Sequence, residues 1–280
     1  MTISSPSIML DQSTNANFRA WTSAVSNALI AVGLVRTADT GQIDFATTVI
    51  PGGGNQFSGY EIFRFNDALQ STRPVVIRIE YAAGNPATLP GLFITVGTST
   101  NGAGVINSQL QYTRRHLTVG QTLNFQTCYF SGDGSYVNMI WPLASQQLLV
   151  SVERTRNPDG TANGNGILVF THSGSSIGQA AFLSTINLST GTSAGAVESF
   201  AYPGPGFGTA TVGADTFFFP RTVALPKQEY DLAIMTGYTA DVVNLIPISV
   251  ENCGSPRTYL PWTVFNPANA GVMATLMRYE

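Results

Sequence analysis

The sequence contains few charged residues. Asp, Glu, Lys and Arg together make up 10% of the 280 residues, whereas an ordinary globular domain has about 25%. Lys227 is the single lysine, and the 31 threonines outnumber all 29 charged side chains. Net charge keeps proteins apart in solution, so a surface this poor in charge is suited to contact with other protein in a repeated assembly.

The charge balance and hydropathy pattern exclude two further classes of partner. The net charge is −3, with a pI near 5.4, so no basic surface is expected and we predict no nucleic-acid partner. The sequence lacks a run of 18 apolar residues, so we predict no membrane span. The first residues, MTISSPSIMLDQSTN, lack the basic segment and apolar run of a secretory signal.

Metal ligands are also scarce. The chain has two histidines, His116 and His172, and two cysteines, Cys128 and Cys253. They are scattered and cannot build a typical zinc site, so we predict no metal and no cofactor. Two buried thiols are the favoured interpretation of the cysteines, and a disulfide is the alternative.

Asp159 with Asn163 and Asn165 resembles a calcium-binding loop. The closing glutamate of such a loop is missing at the right position. A solvated hairpin loop is therefore the favoured interpretation.

One segment, Gly174-Ser175-Ser176-Ile177-Gly178, fits the pattern G-x-S-x-G of serine hydrolases. In an α/β-hydrolase, Ser176 would need a histidine later in the chain, but His116 and His172 both precede it. The match is therefore interpreted as chance in a sequence rich in Ser and Gly.

Paired carboxylates for glycoside hydrolysis must lie about 5–10 Å apart in a cleft. Asp39 with Asp44 and Glu61 with Asp67 are close in sequence, but nothing raises them above surface or turn roles. We predict that the chain is not an enzyme, and a serine or carboxylate hydrolase remains the third hypothesis.

Residues 17–32 are predicted to form a helix. The apolar residues Phe18, Trp21, Val25, Leu29 and Val32 are spaced by 3, 4, 4 and 3, which places them in one stripe at helical period. Thr14 or Asn15 can cap the start, and Gly33 can close the end.

After Gly33 the pattern changes to short strands and turns. Residues 75–81 alternate, with Ile77, Ile79 and Tyr81 on one face and Arg78 and Glu80 on the other, as in a strand with one wet face. Further strands are predicted at 60–65, 92–96, 123–130, 136–141, 148–154, 167–171, 216–219, 231–235, 243–250, 259–264 and 272–279.

These patterns predict a mainly β fold, with an antiparallel sandwich or barrel-like body and one N-terminal amphipathic helix. The expected organisation is an N-terminal segment and helix over 1–35, a β domain over 36–173 and a second β region over 174–280. The second region begins with a Gly/Ser/Pro-rich stretch, 174–213, interpreted as a long loop or arm that reaches a neighbour.

The candidate contacts with other subunits follow from these features. The helix stripe needs a large apolar partner, and Phe18, Trp21, Val25 and Leu29 are candidates for packing against a neighbouring subunit, with packing on their own domain as the alternative. Arg114 and Arg115 are candidates for an inter-subunit salt bridge, or else a solvated strand end. Tyr202 and Phe207 are candidates within the stretch 174–213.

Several short segments in the first 100 residues carry a resemblance to known proteins. They are Phe18-Arg19-Ala20-Trp21, Val32-Gly33-Leu34-Val35, Asp39-Thr40-Gly41-Gln42-Ile43, Gly59-Tyr60-Glu61-Ile62-Phe63-Arg64-Phe65-Asn66-Asp67 and Thr95-Val96-Gly97-Thr98. These segments resemble a family of tailed-bacteriophage virion proteins. The resemblance implies a structural component of the particle and supplies no catalytic residue.

Composition and resemblance together predict a structural component of a tailed-phage virion, in the tail, baseplate or fibre rather than in capsid decoration. We expect it to be made in the cytoplasm of the bacterial host and to reside in the virion. The expected partners are other virion proteins and further copies of the chain, as a symmetric trimer or higher homo-oligomer.

The alternative function is a glycan- or receptor-binding module of a tail tip. In that hypothesis exposed aromatics such as Tyr202, Phe207 and Tyr238 would stack on sugars of the host surface.

Overall fold

The computed structural model of the chain describes residues 2–9, 13–50, 57–83, 90–110, 125–142, 147–156, 161–174, 181–188 and 193–200, and the seven strands given below between 211 and 278. Most of the described residues lie in strands, and Asn15–Ala31 is the one helix among them. The predicted mainly β class with one N-terminal helix is therefore confirmed.

The described part of the chain contains one helix and 21 strands. The first are β1 (Thr2–Ser4), β2 (Ser7–Met9), α1 (Asn15–Ala31), β3 (Val35–Arg36), β4 (Phe57–Arg64), β5 (Val76–Ala83), β6 (Pro90–Thr100) and β7 (Ile106–Leu110). The next are β8 (Phe125–Thr127), β9 (Tyr129–Gly132), β10 (Tyr136–Pro142), β11 (Gln147–Arg156), β12 (Ala162–Gly174), β13 (Ala181–Asn187) and β14 (Ser193–Phe200). The last are β15 (Thr211–Val212), β16 (Asp215–Thr216), β17 (Phe219–Thr222), β18 (Asp231–Tyr238), β19 (Ile248–Asn252), β20 (Ser255–Phe265) and β21 (Val272–Arg278).

These strands form three larger sheets. Sheet I has seven strands in the order β1-β9-β10-β11-β12-β13-β14, and sheet II has five in the order β3-β4-β5-β6-β7. Sheet III has the order β17-β18-β21-β20-β19, and β2 with β8 and β15 with β16 form separate pairs. All pairings among the described strands are antiparallel, which agrees with short connections between sequential strands.

Helix α1 has the predicted caps. The Thr14 side chain accepts a hydrogen bond from the backbone N–H of Asn17 at 3.1 Å, which satisfies one of the donors that every helix start leaves open. Gly33 follows the last turn with φ +101°, a conformation that favours glycine. The predicted helix over 17–32 is thus confirmed, with its start two residues earlier.

Most of the predicted strands are confirmed with small changes in length. The alternation over 75–81 corresponds to β5, in which Ile77, Ile79 and Tyr81 are buried while Arg78 and Glu80 are half-buried. The predicted hairpin partners pair as expected, namely β5 with β6, β9 with β10 and β11 with β12. Residues 123–124, 217–218, 243–247 and 279 of the predicted strands lie outside the described residues. The ends of the predicted strand 216–219 belong to two different strands, β16 and β17.

The stretch 174–213 differs from its interpretation as a loop or arm. Residues 181–187 and 193–200 form β13 and β14, which pair with each other and extend sheet I beyond β12. The expected boundary at residue 174 therefore divides a continuous sheet. The Ser/Gly-rich composition suggested a loop because it lacks the alternating apolar residues by which a strand is recognised.

One apolar core unites helix α1 with sheets I and II. The helix contributes its stripe, sheet II contributes the inward residues of β4 to β6, and sheet I contributes those of β9 to β12. The end of the helix fits closely against sheet I, since a Cβ on Gly132 would lie 2.5 Å from the carbonyl oxygen of Val32. Any larger residue at 132 would push the helix off the sheet.

The helix stripe is buried inside its own chain. Phe18, Trp21, Val25 and Leu29 are at most 1% exposed, so their prediction as contacts with a neighbouring subunit is wrong, and the alternative of packing on their own domain is correct. Helical periodicity identified the buried face but carries no information about what covers it. The other four candidate contacts, Arg114, Arg115, Tyr202 and Phe207, lie outside the described residues.

Candidate functional site

A buried polar cluster lies between helix α1 and sheet II. Its members are Ser26, Arg36, Glu61 and Tyr81, and we call it the Glu61 cluster. Glu61 is 0% exposed, and its inward direction follows from strand alternation, because Phe63, two residues later on the same face of β4, is a core residue.

Two hydroxyl donors and one guanidinium, from three different elements, meet the two oxygens of Glu61. The Ser26 hydroxyl donates to Oε1 at 2.7 Å and the Tyr81 hydroxyl donates to Oε2 at 2.5 Å. Arg36 forms an ion pair with Oε1 through its Nε at 3.0 Å. The carboxylate thereby ties α1, β3 and β5 to β4, and both of its oxygens are engaged within the chain.

Burial controls the proton equilibria of this cluster. It raises the pKa of Glu61, although the hydrogen bonds from Tyr81 and Ser26 and the charge of Arg36 act in the opposite direction. Burial, and the Glu61 carboxylate beside it, hold the pKa of Tyr81 well above its usual value. Tyr81 therefore stays protonated and serves as a hydrogen-bond donor.

Aromatic packing surrounds the Glu61 cluster on the helix side. Trp21 meets Tyr81 edge-on, with ring centroids 5.5 Å apart, and meets Phe18 in the same way at 5.8 Å. Such T-shaped pairs add to the stability from burial alone. The aromatic rings cover the cluster on the helix side, whereas the Arg36 side chain, 32% exposed, reaches solvent.

The segment Asp39 to Ile43 forms a loop that is fastened to sheet II. The Tyr60 hydroxyl donates to the carbonyl of Thr40 at 2.5 Å, and the Gln42 side chain accepts from the N–H of Ile62 at 2.8 Å. Arg78 lies over the Tyr60 ring, with its guanidinium carbon 4.4 Å from the centroid, and donates to the carbonyl of Gly104 at 2.8 Å. These contacts hold the loop against sheet II, and the polar groups named here are hydrogen-bonded within the chain.

A second buried charge links sheet I to the turn after β4. Arg154 of β11 is 0% exposed. It pairs with Asp67 through Nε and through Nη2, the latter at 3.0 Å, and donates to the carbonyl of Arg73 at 2.8 Å. Gln70 accepts from Nη2 at 3.4 Å, and the Phe65 ring lies 5.4 Å from the guanidinium. We call this the Arg154 cluster.

The two pairs of acids considered for glycoside hydrolysis are engaged in these local structures. Glu61 and Asp67 belong to the two different clusters just described. Asp39 accepts from the Thr37 hydroxyl at 2.7 Å, and Asp44 caps a turn by accepting from the N–H of Ala46 at 2.8 Å. All four acids have a fixed structural partner.

The remaining predicted chemistry is only partly described. Ser176, His116, Cys253 and Asp159 lie outside the described residues. Cys128 is buried, and burial raises the pKa of its thiol to about 12, so this thiol is a poor nucleophile at neutral pH.

Metal clusters and membrane spans are both missing from the described part of the chain. It holds no group of three or more His, Cys, Asp or Glu side chains placed to bind a metal ion. None of its helices has the length and apolar character needed to cross a membrane.

The sequence did not reveal the buried partners. Glu61 had a usable signal, since it sits on the inward side of an alternating strand next to Phe63. Arg154 had none, because its partner Asp67 lies 87 residues earlier in the chain.

Comparison of the chain with protein-family models, curated proteins and solved structures gives no match.

Proposed function

We propose that this chain is a structural component of a tailed-phage virion, located in the tail, baseplate or fibre and assembled as a symmetric homo-oligomer. The proposal rests on the contacts that the charged side chains of the resemblance segments make. Their charged side chains are Arg19, Asp39, Glu61, Arg64 and Asp67. Four of them, Arg19, Asp39, Glu61 and Asp67, bind distant parts of the same chain. Arg64 donates to the carbonyl of its neighbour Phe65. These segments therefore serve mainly to hold a scaffold together.

A scaffold role agrees with the composition of the chain. The Glu61 cluster fixes the helix, and the Arg154 cluster fixes sheet I to the turn after β4. The whole chain has only 29 charged residues. A rigid body with a polar but weakly charged surface can approach many copies of itself without strong repulsion. These features favour assembly over catalysis.

The proposal is tested by locating the chain in particles. Phage particles released by the strain that encodes the chain would be purified on a density gradient and examined by mass spectrometry. We expect the chain to be present in a fixed ratio to the major tail proteins, and immunogold labelling should mark the tail. A host cytoplasmic protein of similar abundance serves as the carry-over control. Loss of the chain on the gradient together with that control would refute the proposal.

Assembly can be measured on the isolated protein. Light scattering of the full chain should give a mass that is a whole multiple, three or more, of 29.7 kDa. A monodisperse monomer at all concentrations would contradict the homo-oligomer.

A further inference from the structure

The N-terminal residues 2–9 form an added edge strand along residues 125–132. The pairs are antiparallel and share one register, Thr2 with Gly132, Ile3 with Ser131, Ser4 with Phe130, Ser7 with Thr127, Ile8 with Gln126 and Met9 with Phe125. The N–H of Cys128 donates to the carbonyl of Pro6 at 2.9 Å, which bridges the gap between the two short ladders. From here on, the arm means residues 2–9, not the stretch 174–213, and the acceptor strand means residues 125–132.

Main-chain pairing holds most of the arm in place. Ile8, 1% exposed, is its single fully buried side chain, and the other arm residues are exposed or half-buried. Pro6 has no N–H to donate, which accounts for the break between β1 and β2. An attachment of this kind is β-strand addition, in which backbone hydrogen bonds supply affinity and one side-chain pocket supplies register.

Neither the arm nor the acceptor strand carries a charged residue. Edge strands are commonly protected from pairing with other chains by lysine or another charge. Apart from Pro6, this edge lacks such protection, and an arm of the same sequence from another copy would make the same hydrogen bonds. Exchange of an identical element between copies gains and loses no contact, so it is a low-cost way to join them.

We propose that the arm is exchanged, so that in the assembled protein the arm of one copy lies on the acceptor strand of the next copy. The partner at this edge is thus a second copy of the chain. This inference rests on the proposed function, since it requires a homo-oligomer.

A pair of engineered cysteines distinguishes exchange from pairing within one chain. Ile3→Cys and Ser131→Cys would be introduced together in a Cys128→Ala, Cys253→Ala background. Directly opposed residues of antiparallel strands have Cα atoms about 4.5–5.5 Å apart, which suits a disulfide. The control pair, Ser99→Cys with Asn107→Cys, is directly opposed in the β6–β7 hairpin and closes within one chain.

After oxidation, the expected result on a non-reducing gel is a set of bands at multiples of 29.7 kDa for the arm pair and a single-chain band for the control pair. A second arm pair, Ser7→Cys with Thr127→Cys, should give the same bands if the first pair disturbs folding, as judged by circular dichroism. Both of these positions are exposed.

Light scattering of the same samples separates the two proposals. An oligomer whose arm pairs close within single chains overturns exchange and leaves assembly intact. A monomer with the same closure overturns both. Failure of both arm pairs to close while the control pair closes also overturns exchange, because the arm would then not lie on this strand.

Discussion

Replacement of Asp67 by alanine should destabilise the chain by about 3–5 kcal/mol. The substitution removes the carboxylate that accepts hydrogen bonds from Nε and Nη2 of Arg154, and it leaves the guanidinium in place. Removal of one partner of a buried ion pair is costly because the remaining charge has been taken out of water without compensation.

The magnitude follows from the unequal burial of the two partners. Arg154 is 0% exposed and the Asp67 side chain is 14% exposed. After Asp67→Ala, Arg154 keeps the carbonyl of Arg73 and the weaker bond to Gln70 as acceptors, and neither carries a charge. Arg154→Met should cost less, about 1–3 kcal/mol, because the remaining carboxylate can be hydrated and the methionine fills much of the space.

Two further variants make this reasoning specific. Combining Arg154→Met with Asp67→Ala should restore about 1–2 kcal/mol relative to Asp67→Ala alone, since no buried charge is then left behind. Glu80→Ala breaks a pair of the same type, but its partner Arg78 is 24% exposed and can be hydrated. That control should cost about 1 kcal/mol or less.

The free energy of unfolding would be measured from urea denaturation, followed by tryptophan fluorescence and circular dichroism, at low and at high salt. The effect of Asp67→Ala should change little with salt, since a buried pair is poorly screened. The reasoning would be refuted by a loss below 1 kcal/mol, or by a double variant no more stable than Asp67→Ala.

Three other outcomes are expected. Because the pKa of Glu61 is raised above its ordinary value of 4.5, the folded chain binds a proton at higher pH than the unfolded chain does. The unfolding free energy of the parent relative to Glu61→Gln, measured by urea denaturation, should therefore rise as pH falls from 7 to about 4.5. A fall in this difference over the same range would contradict the raised pKa. Gly104→Ala should lower the thermal midpoint more than Gly102→Ala does. Both glycines have positive φ, but a Cβ at 104 would lie 2.3 Å from the Tyr60 hydroxyl oxygen, whereas a Cβ at 102 meets nothing within 4 Å. Equal losses in the two variants would show that backbone strain alone matters. Thr14→Ala should destabilise the chain by about 1 kcal/mol through loss of the helix cap, and Thr14→Ser, measured by the same denaturation assay, should restore most of it.

The local parts of the fold were predictable because short-range patterns determine them. The spacing of Phe18, Trp21, Val25 and Leu29 located the helix, and the alternation at Ile77 and Ile79 located a strand together with its buried face. In both cases the information lies within a few residues, where backbone period and apolar side chains act together.

The identity of the packing partners was not predictable from the same patterns. An apolar stripe has the same spacing whether its own sheets or another subunit covers it, so the sequence leaves both partners open. The burial of Phe18, Trp21, Val25 and Leu29 in the core decides for the chain's own sheets. Likewise, β13 and β14 lie in a Ser/Gly-rich stretch, where pairing along sheet I overrides weak local preference for strand. The Arg154 cluster depends on contacts across more than 80 residues, which no local pattern encodes.

The register between the arm and the acceptor strand has a consequence for synthesis. Thr2 pairs with Gly132, so Thr2 waits for its partner while the 130 residues that follow it are made. At about 5–20 residues per second, this delay is roughly 7–26 s. Such distant pairing forms slowly because the intervening chain must first be ordered. Residues 2–9 are therefore among the last parts of this body to reach their place after synthesis, and during that interval sister chains on one messenger are the nearest competitors for the acceptor strand.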